Sequence, residues 1–279
     1  MITDVCVCPM CKGPLVSAGQ VFDCAACSQE YPIVDGIPDF FVSQPENEED
    51  QHWRENLVWL DPQMAEARDT IYSLSVRELK GMTFAMQQLG ALTFSGCRIL
   101  EVGTGTGHFA QWMAEVCAPQ TEIFALDFSW PMFEYARLHT AGQPGVVLLR
   151  ANSSGKLPFR DESFDIVFLR LAPLGEHRMD NVQASLQLLK PGGWLFKAGW
   201  DPRHKGESWT EAALQAGYQC AEAHEWLYPR TKTRAEYAAS RMEAERAIAF
   251  GAPIGNLPEE PVSLVSMVCE TLRIARKPG

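Results

Sequence analysis

The sequence ILEVGTGTGH, residues 99–108, decides the fold of this chain. An apolar run that predicts a short β-strand ends at Val102, and the glycines Gly103, Gly105 and Gly107 then alternate with threonines. The pattern of residues 109–117 predicts a helix directly after them. Glycines let the backbone of such a turn approach a ligand closely, and a helix N-terminus presents free N–H groups and a partial positive charge. The stretch therefore predicts a strand, a ligand-binding turn and a helix.

A second strand is predicted at residues 123–126, and it ends on an acid. Asp127 lies twenty residues after Gly107. A carboxylate in this position can accept hydrogen bonds from both hydroxyls of a ribose. Phe128 and Met132 follow it and could flank an adenine. The pair of strands therefore predicts a nucleoside site at their carboxyl ends.

Three further landmarks follow in the order expected of an α/β sheet. Residues 146–149 predict a third strand, which leads to Asn152 and Ser153. Residues 166–170 predict a fourth strand. The sequence LLKPGGWL at residues 188–195 predicts the turn before a fifth strand and the start of that strand.

The acid Glu101 followed by the G-x-G-x-G turn resembles the first motif of class I S-adenosylmethionine-dependent methyltransferases. The resemblance implies an α/β fold with a Rossmann-like, seven-stranded sheet whose last strand is antiparallel. It also implies S-adenosylmethionine as cofactor, with the acid anchoring the amino-acid end of that molecule. Many relatives place an acid near residue 152, where this chain has an amide. The cofactor-binding residues implied in this way are Glu101, Gly103, Thr104, Gly105, Gly107, Asp127, Phe128, Met132, Asn152 and Ser153.

A cysteine-rich segment precedes this region. Two C-x-x-C pairs, Cys8 with Cys11 and Cys24 with Cys27, resemble a zinc ribbon in their spacing. Residues 29–41 resemble the small zinc-ribbon family that activates tRNA and protein methyltransferases. Four thiolates can complete the tetrahedral shell of a structural zinc ion, while disulfides or free thiols are the alternative. Residues 1–45 contain one basic and five acidic residues, so we expect this segment to have a structural or protein-contact role and not to bind nucleic acid.

The organisation expected along the chain has three parts. Residues 1–45 form the zinc-ribbon module, and residues 46–95 form a linker and a helical lid, for which a core-packing helix pair is the alternative. Residues 96–279 form the methyltransferase domain. Its sixth and seventh strands are expected at residues 218–228 and 263–275, with a helical insertion at residues 231–250 that shapes the acceptor site or forms a solvated face.

Composition narrows the functional classes. The chain has 279 residues and a formal charge of −11, which disfavours binding to phosphate backbones without excluding RNA. No run approaches the roughly 18 apolar residues of a membrane span, and the N-terminus lacks the pattern of a secretory signal. We therefore expect a cytoplasmic protein with no membrane partner; its oligomeric state is not predicted.

The methyl acceptor is expected just after the fourth strand, where relatives place it. Arg170 and His177 are the candidate catalytic residues, with the histidine as a general base for a hydroxyl acceptor. A small biosynthetic or metabolic molecule is the expected acceptor. The alternatives are an rRNA guanine methyltransferase, whose family also combines a zinc module with this core, and a non-catalytic S-adenosylmethionine-binding scaffold that docks a partner through the ribbon.

Overall fold

The computed structural model describes residues 2–41, 96–151, 157–169, 178–198, 213–231 and 265–279, together with the single residues 62, 65, 66 and 69. Most of the predicted lid at residues 46–95 and of the predicted insertion at residues 231–250 lies outside the described residues. The four single residues are helical.

The N-terminal segment folds into a small antiparallel sheet. After a 3-10 turn at Ile2–Asp4, its strands are β1 (Leu15–Ser17), β2 (Val21–Cys24), β3 (Glu30–Val34) and β4 (Ile37–Pro38), in the spatial order of the sequence. One cysteine pair precedes β1 and the other begins at the last residue of β2, so the hairpin brings the two pairs together.

The larger sheet has seven strands among the described residues. They are β5 (Arg98–Val102), β6 (Glu122–Asp127), β7 (Val146–Arg150), β8 (Phe164–Leu169), β9 (Leu189–Ala198), β10 (Cys220–Thr231) and β11 (Val265–Arg276). Their order in space is β10-β11-β9-β8-β5-β6-β7. Neighbouring strands within the group β5 to β9 are parallel to each other. Strand β11 is antiparallel to both of its neighbours, β9 and β10. The predicted Rossmann-like sheet with an antiparallel last strand is confirmed.

Three helices connect the parallel strands in the described part of the chain: α1 (His108–Val116), α2 (Trp130–His139) and α3 (Arg178–Leu188). Helix α1 follows the glycine turn directly and buries Phe109, Trp112 and Met113. Helix α2 begins after Ser129 and carries a proline in its first turn, a position that needs no backbone N–H. Both helices therefore start at the carboxyl ends of strands, where parallel α/β sheets place their ligands.

The N-terminal sheet and the large sheet share one hydrophobic core. Buried Val5, Phe22 and Phe40 belong to the same cluster as Phe124 and Phe159 of the large domain. Large aromatic side chains dominate the apolar area that such a cluster buries. The N-terminal segment predicted as a zinc ribbon therefore shares its hydrophobic core with the large sheet.

Backbone hydrogen bonds join the same two parts. The Val7 N–H donates to the Pro158 carbonyl (3.0 Å), and the Arg160 N–H donates to the Val5 carbonyl (2.9 Å). On the other side, the Phe40 N–H donates to the carbonyl of Arg150 (2.7 Å), the last residue of β7. Because β7 is an edge strand, this contact satisfies an acceptor that the edge leaves free. No helix among the described residues has the length and apolar character needed to cross a bilayer.

Candidate functional site

The glycine turn between β5 and α1 is held in a fixed shape by the neighbouring strand. Gly103, Gly105 and Gly107 have φ angles of 86°, 55° and 85°, a region that residues with a Cβ rarely adopt. The N–H groups of Gly103 and Thr104 both donate to the Leu126 carbonyl, at 2.8 and 2.9 Å. The turn is therefore ordered by the end of β6.

The reason for glycine at residue 107 differs from the sequence interpretation, which assigned all three glycines to close approach of a ligand. A Cβ on Gly107 would lie 2.8 Å from the Cα and 2.9 Å from the Cβ of Ala136 in helix α2. Such distances are far inside van der Waals contact. Gly107 is therefore required by helix packing, in addition to its positive φ.

The two predicted acids lie on the adjacent strands β5 and β6, close to the carboxyl ends of both. Glu101 of β5 is fully buried and accepts a hydrogen bond from the Thr104 hydroxyl (2.9 Å). Asp127 ends β6, and its Oδ2 accepts the Gly105 N–H (2.8 Å). Since Val102 pairs with Leu126 in the parallel register, the two acids lie on either side of the glycine turn.

The Asp127 carboxylate is anchored by backbone donors. Its Oδ1 accepts the N–H groups of Phe128 (2.8 Å) and Ser129 (3.1 Å), in addition to the Oδ2 contact with Gly105. Burial raises the pKa of Asp127 above its usual value, and these donors oppose the rise. Each carboxylate oxygen can accept more than one hydrogen bond, so the anchored group keeps acceptor capacity for ligand hydroxyls.

A further polar atom in the turn lacks a partner. Thr106 is fully buried, and within the described part of the chain nothing hydrogen-bonds to its Oγ1. A buried hydroxyl without a partner is costly. This orphaned hydroxyl, the two flanking acids and the strand-to-helix turn fit the polar groups of S-adenosylmethionine.

The remaining predicted cofactor and catalytic residues divide into two groups. Phe128 is half-buried and Met132 is buried, both just past Asp127 at the start of α2. Asn152, Ser153, Arg170 and His177 lie outside the described residues.

The four predicted zinc ligands converge. The Sγ atoms of Cys8, Cys11, Cys24 and Cys27 all lie within 4.8 Å of one another. The Cys8–Cys27 and Cys11–Cys24 separations are 3.7 and 3.4 Å, and a tetrahedral ion with Zn–S bonds of about 2.3 Å requires about 3.8 Å. The donor set and its spacing therefore fit zinc. Cys6, which the sequence analysis left out of the site, is buried and is not part of the group.

The sequence interpretation missed Tyr31 and Arg150. The Tyr31 hydroxyl lies 3.0 Å from the Cys8 sulfur in a buried position, where it completes the surroundings of that thiol. Arg150 forms an ion pair with Asp39 (2.8 Å) and donates from Nε to the Phe128 carbonyl (2.8 Å). It therefore links the ribbon to the segment beside Asp127. The sequence signal for Arg150 was its position as a cation directly after the third predicted strand.

A second group of polar residues was also missed. His108 is the first residue of α1 and His139 is the last residue of α2. Their Nε2 atoms lie 2.9 and 2.7 Å from the same oxygen, Oδ1 of Asp69. Burial and the neighbouring His139 lower the pKa of His108, against the opposing effect of Asp69. No local spacing in the sequence connects these three residues.

Comparison with known families gives two matches. The family described as "Methyltransferase domain" matches residues 99–193, and the family described as "Trm112p-like protein" matches residues 2–36. The first match begins in β5 and covers both acids and the glycine turn. The second covers all four clustered cysteines.

Curated relatives match the first of these regions. A malonyl-[acyl-carrier protein] O-methyltransferase from Methylococcus capsulatus is 34% identical over 99 residues, which are 35% of this chain and 35% of the relative. The ubiquinone/menaquinone biosynthesis C-methyltransferase UbiE from Geobacter sulfurreducens is 34% identical over 101 residues, 35% of this chain and 40% of the relative. The matched region thus spans about two fifths or less of the length of these relatives.

Solved structures with the same fold include a candidate methyltransferase from Bacillus halodurans, with a TM-score of 0.53 and 22% identity over 70% of this chain and 98% of the other. The YcgJ protein from Bacillus subtilis has a TM-score of 0.53 and 16% identity, covering 71% of this chain and 99% of its own. These likenesses show the fold. The chain therefore carries a class I S-adenosylmethionine-dependent methyltransferase domain preceded by a Trm112p-like module.

Proposed function

We propose that this chain transfers a methyl group from S-adenosylmethionine to a small-molecule acceptor. The observation that carries the proposal is the pair of buried acids, Glu101 and Asp127, on either side of a glycine turn that is already formed. Burying two carboxylates is costly. The backbone donors that hold Asp127 leave acceptor capacity on both of its oxygens, and a bound nucleoside with an amino-acid tail would supply the donors for it.

The residues divide the binding task by chemistry. Asp127 accepts hydrogen bonds from the ribose hydroxyls of the cofactor. Glu101 binds the charged amino-acid end of the cofactor, and the Thr104 hydroxyl donates to Glu101. Gly103 and Gly105 let the turn lie against the ligand. When bound, S-adenosylmethionine supplies a methyl group on a positively charged sulfur. The chain contributes alignment of the acceptor and exclusion of water, which need no dedicated acid or base when the acceptor is a nitrogen lone pair.

A small acceptor is favoured over RNA for two reasons. The relatives described above are named for malonyl-[acyl-carrier protein] and for ubiquinone and menaquinone biosynthesis, and they lend no support to the rRNA alternative. The formal charge of −11 also opposes binding to phosphate backbones.

The N-terminal module is proposed to stabilise the domain from within the same chain. Its four thiols are spaced to hold zinc, its core is continuous with that of the large sheet, and its Phe40 N–H donates to the carbonyl of Arg150, the last residue of edge strand β7. Residues 46–95 are proposed as the lid and residues 231–250 as the insertion that shapes the acceptor site. The module also remains a surface on which a protein partner could dock.

Calorimetry with S-adenosylhomocysteine tests the cofactor site without knowledge of the acceptor. Glu101→Gln and Asp127→Asn should each raise the dissociation constant at least tenfold, or about 1.4 kcal/mol, since each removes a charged partner of the ligand. Glu115→Gln, an exposed acid on α1, is the matched control and should bind as the unmodified protein does. Equal affinity in all four proteins would overturn the assignment.

A labelled-methyl assay then tests the acceptor class. The panel contains acids bound to acyl-carrier protein, quinone precursors and a stem-loop RNA. Label in a small molecule supports the proposal, and label in the RNA alone contradicts it. Binding of the cofactor with no transfer to any member of a broad panel would favour the scaffold interpretation.

A further inference from the structure

A cluster of three metal-ligating side chains lies outside the cofactor site and the thiol site. It consists of Asp69, His108 and His139, with one ligand atom from each residue and all three atoms within 4.8 Å of one another. The residues come from three separate parts of the chain: Asp69 is 39 positions from His108 and 70 positions from His139. Only tertiary folding brings them together.

The geometry points to a binding site for a divalent transition-metal ion, held by the Nε2 atoms of His108 and His139 and the carboxylate of Asp69. This site is distinct from the four-thiolate site, and its donors are two nitrogens and one oxygen. Such a donor set suits first-row ions such as Fe²⁺, Co²⁺, Ni²⁺ and Zn²⁺, and it is unlike the all-sulfur set of the ribbon.

Distances support this assignment. The two Nε2 atoms lie 2.9 and 2.7 Å from the same Asp69 oxygen. With metal–ligand bonds of about 2.0–2.1 Å, such separations correspond to ligand–metal–ligand angles of about 80–90°. Those are the angles between adjacent ligands of a six-coordinate ion.

The arrangement of the two imidazoles adds a second argument. Their ring centroids are 3.8 Å apart with an interplanar angle of 39°, and both rings direct Nε2 towards one point. One carboxylate and two neutral imidazoles give a net charge of −1, which complements a divalent cation. The helix dipoles favour neither outcome, because His139 ends α2, where the partial charge is negative, and His108 begins α1, where it is positive.

Partial exposure leaves room for further ligands. The side-chain exposures are 9% for His108, 23% for Asp69 and 26% for His139. Three protein ligands in a half-buried setting leave coordination positions open for water. Bound metal would tie Asp69 to helices α1 and α2. Because His108 directly follows Gly107, the ion would also fix the exit of the glycine turn.

The alternative is a hydrogen-bonded group without metal, in which Asp69 accepts an N–H from each histidine. His139→Gln separates the two, since a glutamine amide can still donate to Asp69 but is a poor metal ligand. Asp69→Asn is the second variant, because an amide oxygen still accepts a hydrogen bond but lacks the charge that the ion needs. Glu134→Gln, an exposed acid on the same helix as His139, is the matched control.

Each full-length protein is equilibrated with Co²⁺, freed of excess metal and analysed for metal content by mass spectrometry. We expect His139→Gln and Asp69→Asn to hold one equivalent fewer than the unmodified protein and the control. Optical spectra should assign the lost equivalent to nitrogen and oxygen ligands and leave the sulfur charge-transfer bands unchanged. Equal metal content in all four proteins would overturn the proposal, as would loss of only the sulfur bands. The readout does not depend on methyl transfer, so it can fail independently of the proposed function.

Discussion

Replacing Gly107 with alanine tests how the glycine turn is coupled to helix α2. The added methyl group would lie 2.8 Å from the Ala136 Cα, which belongs to the helix backbone and cannot rotate away. The residue would also keep a φ of 85°, which an L-amino acid rarely adopts. Two separate penalties therefore act at the same position.

The magnitude follows from those penalties. A left-handed conformation costs a residue with a Cβ about 1–2 kcal/mol, and an extra methyl group in a packed interior costs about 1–3 kcal/mol. We expect Gly107→Ala to lower the free energy of unfolding by about 2–5 kcal/mol in total. Gly142 has a φ of 78° and nothing within 4 Å of the position of its Cβ, so Gly142→Ala should carry only the conformational cost of about 1–2 kcal/mol.

Urea unfolding followed by tryptophan fluorescence measures both variants against the unmodified protein. Calorimetry with S-adenosylhomocysteine supplies a second readout, because displacement of α2 should also move Phe128 and Met132. Gly107→Ala should weaken that binding, and Gly142→Ala should not. If the two variants lose the same stability and bind equally well, the contact between Gly107 and Ala136 does not matter, and the packing argument is wrong.

Three further changes test the rest of the chain. Arg150→Met should lower the free energy of unfolding by about 2–3 kcal/mol, because the Asp39 carboxylate that it pairs with is largely buried. Arg137→Met removes an exposed ion pair with Asp35 and should lower it by less than about 1 kcal/mol. Equal losses of stability in urea unfolding would contradict this difference. Cys27→Ser should abolish zinc binding and lower the melting temperature, while Cys117→Ser should keep the metal in elemental analysis. His177→Gln should reduce kcat by about 10²–10⁴ with KM little changed if this residue is the general base, and unchanged turnover would exclude that role.

The sequence predicted those parts of the candidate site whose residues lie close together along the chain. Glu101 and the three glycines belong to one continuous stretch, and Asp127 ends the next predicted strand. Parallel strands joined by a helix lie side by side with their carboxyl ends together, so acids on two such strands can flank one turn. In the structure Glu101 contacts Thr104 and Asp127 contacts Gly105, both within the glycine turn.

Other features could not be predicted, because they depend on contacts between distant elements. The sequence interpretation gave Asp127 a ligand role only, whereas the structure shows that it also holds the turn through Gly105. It named no packing partner for the ribbon at residues 1–45, and the structure packs Phe22 and Phe40 into the same cluster as Phe124. Nothing in the spacing of apolar residues says which face of a small sheet will be covered by another domain.

Periodicity, glycine spacing and the two cysteine pairs determined, from the sequence alone, the order of the described strands and helices, the glycine turn and the cluster of four thiols. These depend on steric preferences and side-chain chemistry within a few residues of each position. The tertiary structure alone decided that the ribbon completes the methyltransferase core, that Gly107 is needed against Ala136, and that Asp69 meets two histidines. Those outcomes depend on how whole elements pack to bury apolar surface, and such packing is a property of the complete chain.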